Sequence, residues 1–500
     1  MAAVTISEMR ATEARALSEG WTEEQLLDLA GWRLGCALGR FFPKPGMVVG
    51  YLGKGHNAGD ALVALGVLRD QFGWKIAVRN AFPIPDCAPL TRKKWQQLGI
   101  EESPHEQPPA WCEKAAPLVL LDGLLGTGSS GPLRNPLLHL AEEMERLRQC
   151  AGARVAAVDL PSGINADTGL SNPGAVTADV TFMIGIAKRG LLTSHASLAT
   201  GALAIVPVDG LVAPHVSSDL ELVTPQSMEF AKSPRPFDFH KGMAGRVAVI
   251  AGSEQFTGAA VLAAIGALRG GGGLVTLHVP HHAKAVITCK CPPEIIVRGW
   301  HSPEELRALD ADSRVIGCGL GELPAATANS LLDLIANSSV PTVIDADALN
   351  LIAKRHRMEI LTDQNVITPH PGEFHRLSPD LARLSRESAA RAFADRFPST
   401  LLLKGSRTIV ARAGHPLWCN STGSPGMATG GQGDLLAGVI GARLAIGGAP
   451  HEAAALAAWL CGRAAEVALT QSGISEESLT PSDVAQNLGA AFLDWQRSQR

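Results

Sequence analysis

Five glycines, Gly423, Gly426, Gly430, Gly431 and Gly433, crowd the run Asn420-Ser-Thr-Gly-Ser-Pro-Gly-Met-Ala-Thr-Gly-Gly-Gln-Gly-Asp434. Apolar residues at helical spacing follow at once: Leu435, Leu436, Val439, Ile440 and Leu444. A glycine-rich loop feeding a helix N-terminus leaves backbone N–H groups unpaired and aimed at one point. Together with the helix dipole they suit an anion, most often phosphate. Asp434 stands beside that point. The dipole should favour its ionised form, and an ionised carboxylate next to bound phosphate can act as general base for a substrate hydroxyl. The plainer alternative is a glycine turn with Asp434 as the helix N-cap. Lys404-Gly405-Ser406-Arg407-Thr408, after the apolar run 401–403, adds a second glycine turn with a cation and hydroxyls, the groups a nucleotide phosphate needs.

The first half carries a different set. Gly53-Lys-Gly-His56-Asn57-Ala58-Gly59-Asp60 follows the apolar run 47–52. Asp122 closes the run 118–122 and leads into Gly123-Leu-Leu-Gly126-Thr127-Gly128-Ser129-Ser130-Gly131-Pro132, a phosphate-type loop. Asp159 closes the run 154–159 and leads into Leu-Pro-Ser162-Gly163. Polar groups at three strand ends converge on one edge of a parallel sheet, the usual ligand edge of such folds. Strand-end carboxylates can also serve as caps.

Positioning these groups requires alternating strands and helices. Residues 7–40 read as helical, 47–52 as a buried strand, 53–60 as a loop, 61–72 as an amphipathic helix and 75–78 as the next strand. In the second half each of the runs 246–250, 274–279, 314–316, 343–344, 366–367 and 401–403 ends in a glycine or polar loop, and 259–268 is a helix of small residues suited to close packing. The expected class is α/β with two domains: an N-terminal Rossmann-like parallel sheet over 1–220 and a C-terminal α/β/α domain over 221–500. The loop 53–60 lacks the Gly-x-Gly-x-x-Gly spacing of the dinucleotide fingerprint. Pro104 to Pro109 reads as a surface loop, the linker falls near 212–235, and 482–500 reads as a packing helix.

Five hundred residues suffice for two cores. A net charge of −4 without a basic block leaves no footprint for nucleic acid or an anionic membrane, so neither is expected as a partner. Nine scattered cysteines, with Cys289 and Cys291 the one close pair, read as reduced thiols and point to the cytoplasm. The N-terminus lacks a signal-peptide pattern, and no uninterrupted apolar run is long enough to span a bilayer.

The second half resembles the ribokinase-like superfamily, and within it the ADP- or ATP-dependent NAD(P)H-hydrate dehydratases, whose signature N-x-x-G-x-x-G-M-A-x-G-G-x-G-D is nearly complete over 420–434. The resemblance implies Asp434 as catalytic base and Ala260, Gly319, Gly321, His370 and Asp434 as substrate contacts. It also implies nucleotide contacts from Lys404, Gly405, Ser406, Arg407, Thr408, Gly431 and Gly433. His370, in Thr368-Pro-His-Pro-Gly-Glu373, is otherwise a turn histidine. Asp345, Asp347 and Asn350 either touch substrate or metal or are satisfied structural polars. His281 and His282 read as solvated.

The first half resembles the NAD(P)H-hydrate epimerases through 53–60, through Asp122 to Gly128, through Val158-Asp-Leu-Pro-Ser-Gly163 and through Lys188-Arg-Gly-Leu-Leu-Thr193. The resemblance implies a potassium ion near Asn57, Asp122 and Ser162. Substrate contacts are implied from His56, Asn57, Ala58, Gly59 and Asp60, from Gly126, Thr127, Gly128, Ser129, Ser130, Gly131 and Pro132, and from Asp159, which is also the candidate for proton transfer. His56 and Ala58 stand where the family has Asn and Gly. ADP or ATP is the implied co-substrate, Mg2+ a further candidate, NADH and NADPH hydrates the substrates, and a homo-oligomer the expected assembly. Two other readings stay open: a small-metabolite kinase fused to a nucleotide sensor, and a non-catalytic N-terminal binding module.

Overall fold

The computed structural model describes residues 1–100, 117–128, 131–212, 218–228 and 235–498. Ser129, Ser130 and the Pro104 to Pro109 loop lie outside the described residues. The chain divides into two compact units, Met1–Ser218 and Asp219–Arg500.

In the first unit, strands β1 (Met47–Leu52), β2 (Lys75–Asn80), β3 (Leu118–Gly123), β4 (Arg154–Val158), β5 (Val180–Ile184) and β6 (Ala202–Val206) form one sheet in the order β2-β1-β3-β4-β5-β6. Every pairing is parallel. The strands read as continuous apolar runs because both faces are covered. Alternate residues of β1 enter opposite cores: Val48 and Leu52 join Leu34, Leu38, Leu62 and Leu65, while Val49 and Tyr51 join Leu140, Met144 and Leu147.

Two local readings are corrected here. The helical stretch 7–40 is two helices, Ile6–Ser18 and Glu23–Phe41, each opened by a capping box, Thr5 with Glu8 and Thr22 with Gln25. Gly20, at φ 103°, breaks them apart. The next helix spans His56–Phe72 and starts within the expected loop. Gly55 is its N-cap and offers no side-chain bond, so no capping residue announces the start.

The second unit holds β7 (Leu220–Leu222), β8 (Arg246–Ile250), β9 (Leu274–Pro280), β10 (Ile296–Trp300), β11 (Ser313–Ile316), β12 (Thr342–Ile344), β13 (Asn365–Ile367), β14 (Thr400–Leu403), β15 (Ile409–Ala411) and β16 (Leu417–Cys419). Their order is β10-β9-β8-β11-β12-β13-β14-β15-β16-β7, with β15 antiparallel to both neighbours and the other pairings parallel. Strand β7 lies inside the stretch expected to be a linker. Its Leu-Glu-Leu is too short to show a period, and its pairing with β16 makes it part of this sheet.

The helices Thr257–Arg269 and Gln432–Ala445 press together through small residues. A Cβ on Gly266 would lie 2.1 Å from the Leu435 carbonyl oxygen, and one on Gly438 would lie 2.0 Å from that of Ala263. One helix, Pro450–Gln471, is long and apolar enough to cross a membrane, but 78% of its apolar window is buried in the unit, as befits a core helix. Gly438→Ala should destabilise the protein by about 1–3 kcal/mol or more, because backbone must move apart to admit the methyl group. Urea denaturation beside the wild type measures it.

Candidate active sites

In the first unit β1, β3, β4 and β5 all end on one edge of the parallel sheet, and the predicted residues gather there. Asp122, fully buried, accepts three hydrogen bonds: Oδ1 from Ser162 Oγ at 2.7 Å and from Leu124 N–H at 3.2 Å, and Oδ2 from Ser162 N–H at 2.7 Å. Burial pushes its pKa up to about 6, although these hydrogen bonds pull the other way. Ser162 Oγ also accepts from Leu125 N–H at 2.9 Å, and Asn57 Nδ2 donates to Leu125 O at 3.0 Å. Asn57, Asp122 and Ser162 therefore form one oxygen-rich knot holding the loop after β3.

Gly55 to Asp60 form the first turn of the helix His56–Phe72, an N-terminus with no side-chain cap. His56 is exposed, while Ala58 and Gly59 are buried, Gly59 with room for no side chain beside Leu27. Gly126 abuts Asn57, with a Cβ there 3.4 Å from that of Asn57, and Thr127 and Gly128 carry the loop outward. Gly131, at φ 89°, and the exposed Pro132 complete it. Asp60 is half-buried, and burial, then the Asp159 charge, push its carboxyl well above the usual range against the pull of Lys188. Asp159 pairs with the buried ammonium of Lys188. Glu13, on the first helix, also faces this group. Burial raises its carboxyl, and Lys188 is the leading opposing influence. The sequence reading missed Glu13 and the pairing of Lys188, since neither stands at a strand end.

In the second unit the loops after β8, β11, β12, β13, β14 and β16 leave the same edge, since β16 runs parallel to β14 across the antiparallel β15. Gly431, at φ 94°, is the N-cap of the helix Gln432–Ala445. Asp434 is thus the third helical residue, not the cap. The dipole does not dominate its acidity: burial, then the Asp345 charge, raise its carboxyl to about 6, against a hydrogen bond from the Cys318 thiol and the charge of Lys404. Burial, with the Asp434 and Asp345 charges, keeps Cys318 a thiol.

Lys404 Nζ lies 2.9 Å from Asp345 Oδ1 and 3.8 Å from Glu373 Oε2. Burial lowers its basicity, but the two carboxylates more than restore it. A Cβ on Gly433 would lie 3.2 Å from that ammonium and 3.6 Å from Asp345 Oδ2, so Gly433 lets the pair approach the helix start. Asp345 is buried and leads into Ala346, a non-glycine residue at φ 49°.

The other predicted residues divide between the edge and its supports. His370 Nδ1 accepts from Gly372 N–H at 3.0 Å and caps the helix Pro371–Leu377, while Glu373 Oε2 accepts from His370 N–H at 2.8 Å. On the other side of the half-exposed ring, Nε2 lies 3.5 Å from Glu373 Oε1. Asp347 accepts from Gly321 N–H at 2.8 Å, and Asn350 accepts from Arg376 Nε at 2.9 Å. Gly319, at φ 65°, meets Phe256 and Ala259, and Ala260 is wholly buried against Gly252. Within 404–408, Arg407 is buried, Ser406 belongs to the same turn, and Thr408 Oγ1 donates to Gly405 O at 3.1 Å. Arg386, which the sequence reading missed, clamps this turn by donating to Leu403 O and Lys404 O at 3.1 Å each. It comes from a helix with no motif to mark it. Asn420, Thr422 and Gly423 brace the glycine-rich loop, the last by donating to Glu466 Oε1 at 2.9 Å.

A cavity of about 310 Å³ lies apart from these groups, beside Arg235, His240, Lys241 and Gly271. Of its two lining cations, Arg235 donates to Gly271 O at 3.1 Å.

Two family profiles match the chain: "YjeF-related protein N-terminus" over residues 23–190 and "NAD(P)H-hydrate dehydratase" over 247–488. A curated relative from Gloeobacter violaceus, called bifunctional NAD(P)H-hydrate repair enzyme Nnr, is 36% identical over 93% of this chain and 92% of its own. The chain belongs to the bifunctional NAD(P)H-hydrate repair enzyme family. The family member from Escherichia coli is 33% identical over 84% of this chain and 80% of its own. Among solved structures, a ribokinase-like superfamily protein from Enterococcus faecalis superposes with a TM-score of 0.51 at 26% identity, covering 57% of this chain and 99% of that one.

Asp122→Ala would leave three donors, Leu124 N–H, Ser162 N–H and Ser162 Oγ–H, without their acceptor. We expect a loss of about 2–4 kcal/mol, read by denaturation, with Asp122→Asn losing less because it keeps one acceptor oxygen.

Proposed function

We propose that this chain repairs hydrated NADH and NADPH, the first unit interconverting the R and S epimers and the second removing water from the S epimer at the expense of a nucleotide. One observation carries the reading. In a chain of this family, an uncapped glycine-rich helix N-terminus places a carboxylate tuned near neutrality beside a lysine held by two acids.

Hydroxide is a poor leaving group and phosphate a good one. In our reading, Asp434 takes the proton of the ring hydroxyl as that oxygen attacks the terminal phosphoryl group of the nucleotide. The N–H groups around Gly431 and Gly433 carry the negative charge of the transferring group. With ADP the leaving group is the nucleoside monophosphate. The new phosphate ester then loses phosphate together with a neighbouring ring proton, and the reduced dihydropyridine returns. The Lys404 to Thr408 turn, clamped by Arg386, holds the nucleotide phosphates, with Lys404 supplying charge. Gly319, Gly321 and His370 line the substrate side, while Ala260, wholly buried against Gly252, supports it from behind instead of touching substrate as expected. ADP is our expected nucleotide, from the family resemblance.

In the first unit Asp159 moves the proton during epimerisation, and the helix start at 56–60 with the loop 126–132 holds the substrate. The donors at Asn57, Asp122 and Ser162 are oxygens with one carboxylate among them, which fits a hard monovalent cation. These residues would hold K+, which would supply a fixed positive charge at the site. Mg2+, when it accompanies the nucleotide, would be held chiefly by phosphate oxygens and water. A cytoplasmic homo-oligomer is our expected form, and sedimentation checks the assembly.

Absorbance of the dihydropyridine band tests the dehydratase, using the pure S epimer of NADH hydrate with ADP, with ATP and with neither. NADH should return only with nucleotide, and Asp434→Asn should lower kcat by about 10²–10⁴-fold. Failure with both nucleotides would overturn the reading. Because the base must be ionised and its acidity sits at about 6, kcat/KM should be flat above pH 7 and fall about tenfold per unit well below pH 6.

A further inference from the structure

Asp159 stands one residue beyond β4 at φ 65°, a left-handed conformation that strains any side chain but glycine's. Three contacts hold it there. Its N–H donates to Phe182 O at 2.9 Å. Its Oδ1 accepts from Ile184 N–H at 2.9 Å and from the Lys188 ammonium. Lys188 Nζ also donates to Ile184 O at 2.6 Å, so both charges are tied to the end of β5. No hydrogen bond reaches Asp159 Oδ2 among the described residues. The Lys188 side chain is 1% exposed and that of Asp159 13%, so the pair is sunk with the carboxylate outermost.

The lysine is itself fixed. Val4 N–H donates to Ala187 O and Arg189 N–H donates to Val4 O, both at 2.9 Å, which pins the backbone on either side of it. It is set against the cluster of Asp159, Asp60 and Glu13, the last of which also faces Arg10 and His56. A salt bridge made only for stability would gain from using both carboxylate oxygens, and it would not need a strained backbone. Here the strain and the one-sided pairing have the same result: one oxygen is consumed and the other turned outward.

We propose that Lys188 is a positioning residue for epimerisation, consuming Oδ1 of Asp159 together with the Ile184 N–H so that Oδ2 is the oxygen presented to the substrate hydroxyl. The inference rests on the epimerase reading of the first unit. It assigns the lysine to the turnover step and not to substrate affinity, because the ammonium is buried behind the carboxylate.

The test uses the full chain without nucleotide and pure R epimer, with appearance of the S epimer followed by chromatography against the uncatalysed rate. Lys188→Met should lower kcat by about 10²-fold, the order of loss for a misplaced catalytic group, with KM within about threefold of wild type. In Lys188→Ala, added ethylammonium should restore part of kcat in a saturable way. A Lys188→Met protein with wild-type kcat would overturn the proposal. So would a fall in kcat that tracks a lower melting temperature and that neither ethylammonium nor Lys188→Arg relieves, which marks a purely structural lysine. If the wild-type protein does not accelerate epimerisation at all, the epimerase reading itself fails, a result distinct from either.

Discussion

Parallel pairing is the constraint from which the rest follows. A strand that runs parallel to its neighbour cannot be joined to it by a tight turn, so the chain crosses back through a helix and every catalytic-side loop leaves from one edge. In the first unit this gathers the starts of four loops, after β1, β3, β4 and β5. In the second it gathers six, because the antiparallel β15 turns the chain over once and returns β16 to the common direction. Residues as distant in sequence as Asp345 and Lys404 meet at 2.9 Å for that reason.

The two edges solve the same electrostatic problem with different parts. Each sets one lysine among acids beside the N-terminus of a helix whose cap is a glycine. In the first unit Lys188 answers Asp159 with Asp60 and Glu13 near, and Gly55 caps the helix that begins at His56. In the second Lys404 answers Asp345 and Glu373, with Asp434 in the first turn after Gly431. A glycine cap leaves helix N–H groups unspent, whereas Ser, Thr or Asp would occupy one. In the second unit burial then pushes the pKa of Asp434 up to about 6, nearer neutrality than a helix dipole alone would leave it.

Much of this was legible in the chain. Strand runs such as 47–52 and 246–250 coincide with β1 and β8, since strands buried on both faces must be apolar throughout. Short or locally unremarkable elements were not legible: β7 with three residues, β15 and β16 with three each, and the helix start at His56, which has no capping side chain. Supporting groups such as Arg386 and Glu13 carry no local signal either, because their roles exist only through neighbours far along the chain.

Residue types and spacing by themselves determined the α/β class, the two glycine-rich loops, the strand-end carboxylates and the family resemblance, all of which are local patterns of covalent sequence. Tertiary structure alone decided which charges pair, how far burial moves Asp434, Asp122 and Asp60, and which carboxylate oxygens are already spent. Those properties depend on distance and desolvation, and a linear sequence contains neither until the sheet edges bring the loops together.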